Sequence, residues 1–592
     1  MIKQYFFVIA LFLIGSSGSS QNIISMLDVN DLDLRIRSNG QLSPSVVDGA
    51  LTVPSALGSG QNLMWGGGLW ISGMDEAGDM HVSAHYYGAA GHDMYPGPLT
   101  NDGLASITPE TILEYDRIWR VNRYEVQLHA FYFDCLNDPS CDLAMEFPDG
   151  YTTPPSLLNW PAHGDLDNGQ AFHLAPWNDS NADGYYDAMV GDYPCVPGDL
   201  ALFMIYNDVG GPHVETGGEP LGIEVHMTAF GYYGDQDLRN TVFIHYKLIN
   251  RSTSTYNDVH ISNFSDLEIG CSNDDLIGTD VQRNMVYAYN GDDVDEDCLG
   301  TAGFGEEPPA VGVIILKGPL LSPDGTDDAA GNSLPAYTGS GFGDGIIDNE
   351  RHGLSRSMYF QREGNTATTG PALSDHFRQY QRGIWKNGVP FTYGGNGYSE
   401  SSGTIPAAFA YPGSSDPLGA GTSGVPQPSW AATLEGNIVD PKIVATMGPI
   451  TLDPGSEHEI LIAYVFAGSE GGAAASIAEL QARVDSITAF AQNIPGIMGE
   501  GSSCDQLGVG LLQIDRGNDL LLLYPNPATD ELFIDVQTSS LIEIFDARGV
   551  LIMKQQTTNT RASLDIRSLQ FGSYFIRLVH KDAVLVGRFV KE

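Results

Sequence analysis

Positive charge is scarce in this chain: 28 Lys and Arg stand against 74 Asp and Glu in 592 residues, a formal net charge of -46. A field of that sign repels phosphate backbones and anionic headgroups alike, which excludes nucleic acid as a partner. Long apolar runs are also missing. The apolar run at residues 5–14 is shorter than the roughly 20 residues that span a bilayer, and no later segment is apolar for long enough, so no membrane span is expected in the mature chain. The linear signatures of common enzymes are absent as well: there is no H-E-x-x-H, no G-x-S-x-G and no G-x-x-x-x-G-K. Gly419-Ala-Gly-Thr-Ser-Gly424 has the form of a dinucleotide fingerprint but lies in a Ser/Pro/Gly-rich loop with no strand before it and no helix after it. His81 and His85 stand four apart without a neighbouring Glu, and read as surface or core histidines rather than zinc ligands. Paired carboxylates for glycoside hydrolysis leave no linear motif and stay open.

Cysteine is sparse at six residues. The N-terminus reads as a signal peptide over residues 1–20, with Lys3 as the positive start, 5–14 as the apolar core and 15–20 as the small-residue stretch before the cut. An exported chain favours disulfides over metal thiolates. Cys135 and Cys141 bracket an Asn-Asp-Pro-Ser turn and form the first expected pair; Cys271 and Cys298 flank an acidic stretch and form the second. Cys195 and Cys504 are then either joined or free.

A single core stops growing near roughly 250 to 300 residues, so more than one folded unit is expected. The 42% hydrophobic and 10% aromatic content suffices for packed cores, so the 70 glycines and 33 prolines punctuate short strands rather than signal disorder. Alternating apolar and polar residues, as in Thr241-Val-Phe-Ile-His-Tyr-Lys-Leu-Ile-Asn250, recur through a body at 21–500. Residues 120–129, 201–206 and 459–466 follow the same strand pattern. The fold class expected is mainly β: a β-sandwich-rich body of two or more sandwich units, divided near residue 220, with one amphipathic helix near its end. That helix is placed at 473–492, where Ile477, Leu480, Val484 and Ile487 recur at helical spacing. Residues 501–518 read as a linker.

The tail at 519–592 differs in composition, with eight basic and nine acidic residues, so almost all the negative charge belongs to the body. Seven short strands at close spacing predict a small immunoglobulin-like seven-stranded β-sandwich. Tyr524-Pro-Asn-Pro-Ala-Thr-Asp530, Ile544-Phe-Asp-Ala-Arg-Gly549, Leu564-Asp-Ile-Arg-Ser-Leu569, Gly572-Ser-Tyr-Phe-Ile-Arg577 and Gly587-Arg-Phe-Val-Lys-Glu592 resemble the type IX secretion sorting domain, or Por secretion tail. The resemblance implies that 519–592 is read by an outer-membrane secretion translocon, and that the chain is secreted or displayed on the cell surface via the periplasm and outer membrane. In the body, Asn159-Trp-Pro-Ala-His-Gly-Asp165, Gly191-Asp-Tyr-Pro194 and Tyr206-Asn-Asp208 are similar to large secreted proteins that carry such tails. That similarity implies no particular activity.

The sharpest body motif is Asp179-Ser-Asn-Ala-Asp-Gly-Tyr-Tyr-Asp187. Side chains at Asp179, Asn181 and Asp183, the carbonyl of Tyr185 and the carboxylate of Asp187 are the ligand set expected of a Ca2+ loop, with Gly184 for the sharp turn. The twelfth position is Val190 rather than Glu, so the loop is no full EF-hand and resembles the short calcium loops of thrombospondin type 3 and dockerin-like segments. A structural ion is expected rather than a catalytic one. Residues 343–350, with Asp344, Asp348 and Glu350, are a weaker second candidate and read as a solvated turn. The sequence thus favours a calcium-stabilised β-sandwich acting in adhesion, glycan binding or structure, with a glycan or surface partner. A secreted, polysaccharide-directed hydrolase using carboxylate catalysis is the alternative.

Overall fold

The computed structural model describes residues 23–43, 49–53, 61–88, 91–298, 300–398, 403–434, 438–494, 523–524, 528–535, 540–546, 551–557, 561–580 and 583–591. The expected signal peptide at 1–20, the linker at 501–518 and Cys504 lie outside these residues.

The chain is mainly β, built from antiparallel sheets. One sheet of the body runs in the order Ile24–Leu27, Asp33–Arg37, Leu51–Val53, Gln61–Met74, Tyr256–Leu267, Pro441–Leu452 and Arg356–Gln361, with Met80–Ala84 paired to Gln61–Met74. The second runs Asp275–Asp280, Met285–Asn290, Ala310–Lys317, Glu457–Ala467, Thr241–Asn250, Ile223–Gly231, Leu200–Asn207 and Tyr95–Pro96, with Trp119–Asn122 also on Leu200–Asn207. Strands at 241–250 and 459–466 therefore stand where alternation placed them.

Period-2 alternation explains the layering. In Leu200–Asn207, Leu202, Met204 and Tyr206 join the core between the sheets, while Ala201, Phe203 and Ile205 join a second core behind the sheet. Across the central layer, the Asn263 amide donates to the Tyr464 hydroxyl at 3.0 Å. On the far face of the first sheet, Trp70 stacks on Phe264 and meets Phe377 of the helix Ser374–Gln381 edge-on, with centroids 4.7 Å apart. Behind the second sheet lies the helix Ala473–Ala491, which buries Leu480, Val484 and Ile487. It is the amphipathic helix expected at 473–492.

Two expectations need correction. Residue 220 lies in the connection between Leu200–Asn207 and Ile223–Gly231, which pair antiparallel from Leu200↔Gly231 to Asn207↔Glu224. A division there would cut one continuous sheet. The second correction concerns residues 120–129, which read as a strand: the strand Trp119–Asn122 stops and a helix, Arg123–Asn137, begins. Tyr124, Val126 and Leu128 alternate as in a strand, but the Asn122 side chain accepts from the Tyr124 N–H and starts the helix, which buries Val126 and His129 three apart. A further helix, Pro109–Tyr115, precedes it.

Disulfides join Cys135 to Cys141 and Cys271 to Cys298, the two expected pairs. Cys195 is also disulfide-bonded. No helix among the described residues is long and apolar enough to cross a membrane.

The tail forms two small sheets, Leu523–Tyr524, Glu531–Asp535 and Arg561–Asp565 in one, and Leu551–Thr557, Ser540–Asp546, Gly572–His580 and Ala583–Lys591 in the other. Leu532, Ile534, Ile542, Ile544, Leu564, Ile576 and Phe589 form a core of their own between them. The tail touches the body at Tyr233, where the Arg577 guanidinium lies 4.7 Å from the ring centroid, and at Tyr124, 5.5 Å from the Phe575 ring.

Candidate functional site

A two-residue ladder, Trp177↔Pro194 and Asn178↔Tyr193, closes the base of the acidic loop at 179–187. Local hydrogen bonds shape it from inside. The Asp179 carboxylate accepts from the Asp183 N–H at 3.2 Å and the Gly184 N–H at 2.8 Å; Asp183 accepts from the Tyr185 N–H at 2.8 Å. The Asn181 amide donates to Asp183 at 2.9 Å, and Asp187 accepts from the Met189 N–H at 2.8 Å. Gly184 has φ +82 with open space where a Cβ would stand, so its requirement is conformational.

Beneath the loop is a residue that the motif does not contain. Asp192 is fully buried and accepts from the N–H groups of Ser180 at 2.8 Å and Asp187 at 2.9 Å. Burial raises its pKa, and the nearby Asp179 and Asp183 charges raise it further, against those two hydrogen bonds. Its only sequence signal was its place in Gly191-Asp-Tyr-Pro194, five residues past the motif.

Aromatic rings border the loop. Tyr185 is 64% exposed, and its ring lies 5.5 Å from Phe172 and 6.1 Å from His163. His163 stacks on Phe172 at 4.2 Å and meets Trp177 edge-on at 5.4 Å; Trp177 meets Tyr186 at 5.6 Å. His163 is a fixed strut: its Nε2 accepts from the Tyr186 N–H at 2.9 Å, so Nδ1 carries the proton donated to the Phe172 carbonyl at 3.2 Å. Burial lowers its pKa and keeps the ring neutral.

The weaker acidic candidate at 343–350 closes onto a second loop that sequence reasoning did not connect with it. Asp348 accepts from the N–H groups of Asp324 and Gly325, Asp327 from those of Gly343 and Gly345, and Glu350 from that of Asp328. Asp344 turns instead to Ile346 and Asn349. Neither acidic loop gathers its carboxylates tightly. Among the described residues, the acidic oxygens that all lie within 4.8 Å of one another belong to Asp266, Glu268 and Asp440. That group already holds a cation: Lys442 Nζ lies 2.8 Å from Asp266 and 3.9 Å from Glu268, and donates to Asp440.

His81 and His85 are not brought together as ligands. His81 Nδ1 faces the Pro220 carbonyl at 2.6 Å, while His85 is buried, faces the Asn39 carbonyl at 2.8 Å, and has its pKa lowered to about 4 by burial.

Residues 522–592 match the family described as the secretion system C-terminal sorting domain. The tail is therefore a type IX secretion sorting domain, which marks the chain for export to the cell surface or extracellular space and for the secretion machinery. No curated protein matches the chain. Among solved structures, a polysaccharide lyase is similar over 71% of this chain and 37% of its own, at 6% identity and a TM-score of 0.18. PorZ, an essential bacterial surface component of the type IX secretion system of Porphyromonas gingivalis, is similar over 73% and 46%, at 11% identity and a TM-score of 0.12. This chain spans less than half the length of either.

Proposed function

We propose that the exported body works by binding: it contacts glycan through the aromatic face of Phe172, Trp177 and Tyr185, beside a loop that Ca2+ stabilises, and so serves adhesion or surface structure. The observation that carries this reading is the exposed Tyr185 ring packed on Phe172 at the edge of the acidic loop. An aromatic ring set next to hydrogen-bonding carboxylates offers an apolar face and polar partners together, which is what the C–H face and hydroxyls of a sugar require. Removing one such ring is expected to weaken glycan binding about tenfold, equivalent to roughly 1.4 kcal/mol. Purified body tested on an array of surface polysaccharides should show Tyr185→Ala and Trp177→Ala weakened to that degree, with exposed Tyr185→Ala melting near the parent's temperature and Trp177→Ala below it, because the half-buried Trp177 ring packs on Tyr186 and the core. Equal binding by both variants would remove the aromatic face from the proposal.

The ion has separate support. Asp179, Asn181, Asp183, the Tyr185 carbonyl and Asp187 are hard oxygen donors, and buried Asp192 is pushed up partly by the loop's own charges, a repulsion that a divalent cation would relieve. Chelating divalent ions should lower the melting temperature of the body, and Asp183→Ala should melt at the lowered value without chelator. If neither shifts, no ion is held there.

One observation favours the hydrolytic alternative. Burial first, then the Asp266 charge, push the Glu268 carboxyl up to about 8, the range of a general acid in glycoside hydrolysis. Lys442 argues for a structural group instead, since its ammonium occupies the space between the carboxylates. Polysaccharide cleavage abolished by Glu268→Gln would decide for the hydrolase.

A further inference from the structure

In a chain with 74 acidic and 28 basic residues, one concavity has the opposite character. A cavity of about 320 Å³ is walled by Asp258, His260, His352, Arg356 and Arg382, with Leu334 and Pro335 supplying an apolar side. Arg378 stands next to this wall. It is buried, and donates to the Asp258 carboxylate at 2.7 Å, to the Asp258 carbonyl at 3.2 Å and to the Ser72 hydroxyl at 3.1 Å. Arg382, exposed at the rim, has its Nε 3.7 Å from the same carboxylate. Arg378 and Arg382 thus both engage one carboxylate, with Asp375 acting on Arg378 from further along its helix.

Arg356 is the group left over. It opens the strand Arg356–Gln361, is half-buried, and makes no side-chain hydrogen bond or ion pair among the described residues. Burial and the neighbouring Arg382 lower its pKa, and Asp258 only partly offsets them. Gly383 leaves it room, since a Cβ there would stand 3.1 Å from the Arg356 Nη1. His352 is 6% exposed, and its Nδ1 has no partner. Burial holds His260 and His352 neutral, with pKa values lowered to about 4, so the positive charge comes from the arginines.

We propose that this cavity is a binding site for an oxyanion carried on a ligand of monosaccharide size, a carboxylated or sulfated sugar. A partly desolvated guanidinium with no ion pair of its own is costly, and its planar fork matches the two oxygens of a carboxylate or sulfate. The volume lies at the small end of ligand pockets, which suits one sugar ring and not an extended chain. The Leu334 and Pro335 side offers the ring an apolar face. No residue is shared with the aromatic face at 172–186, so either site can fail without the other.

Calorimetry on the full chain at low salt, with glucuronate, glucose 6-sulfate, glucose and inorganic sulfate, tests this. Saturable binding of glucuronate or glucose 6-sulfate, with glucose at least tenfold weaker, supports the site, and whichever of the two binds identifies the oxyanion. Arg356→Met should lose that binding while melting at or above the parent's temperature, because the substitution removes an unpaired charge. Arg356→Lys, which keeps charge but not the fork, should bind about tenfold more weakly than the parent. The proposal is overturned if no anion binds saturably, if glucose binds as well as glucuronate, if inorganic sulfate alone binds as tightly as both sugar anions, or if Arg356→Met binds like the parent.

Discussion

Cells expressing the chain without residues 519–592 are expected to hold the body in the periplasm, with essentially none on the surface or in the medium. The physical ground is the separateness of the tail. Its core, from Ala528 to Phe589, is made of tail residues alone, and its contacts with the body lie at ring surfaces such as Tyr233 and Tyr124. Deleting it removes an address and little of the body's packing. The truncated body should therefore keep the Cys135–Cys141 and Cys271–Cys298 disulfides and melt within a few degrees of the full chain, which separates a sorting failure from misfolding. A point change inside the tail should reproduce the defect. Ile576 is fully buried between the two small sheets, and Ile576→Asp places a carboxylate there at a cost of more than about 4 kcal/mol, enough to unfold a domain of this size. Export of the truncated chain at the normal level would show that the tail is not what the secretion machinery reads.

Local signals were the legible ones. The tail strands could be read because each is short, alternating and bounded by turn residues, and the helix at 473–491 because its apolar residues recur every three or four positions. The acidic motif stood out in the sequence because its residues all lie within nine consecutive positions. What failed depends on partners far away in sequence. Tyr124, Val126 and Leu128 carry the same alternation whether the segment extends or coils, and the Asn122 cap decides for the helix. The sheet order is equally remote, for Tyr256–Leu267 lies between Gln61–Met74 and Pro441–Leu452. The arginine cavity illustrates the limit most sharply. Asp258, His352, Arg356 and Arg382 come from three segments whose sequences give no hint of one another, and only the folded sheet edge brings them to one wall.

Lys442→Met is expected to be the most damaging single substitution in the body, and its cost should depend on pH. Lys442 is 7% exposed and stands among Asp266, Glu268 and Asp440; Arg362 reaches Asp440 at 3.2 Å and the Tyr87 hydroxyl donates to Asp266 at 2.6 Å. Burial opposes the ammonium charge, but the three carboxylates outweigh it and raise the Lys442 pKa. Replacing the lysine by an apolar chain leaves buried carboxylates with no central cation, a change that costs about 3 to 5 kcal/mol near pH 8. Acid should soften the loss. Burial, more than any neighbour, raises the pKa of Asp266 and takes Glu268 from 4.5 to about 8. Between those two values the folded chain keeps a proton on Glu268 that the unfolded chain has released, so this group's contribution to stability is complete below 4.5 and is lost as pH rises through 8. The buried His85, His260 and His352, with pKa values lowered to about 4, act with the opposite sign, so the test is a difference: relative to the parent, Glu268→Gln, which cannot ionise, should lose stability at pH 5 compared with pH 8. In Lys442→Met the same carboxyls take up protons more readily, and once neutral they need no counter-ion. The melting-temperature deficit of the variant should therefore shrink from pH 8 to pH 5. A deficit of the same size at both values would mean that the lysine acts by packing and not by charge.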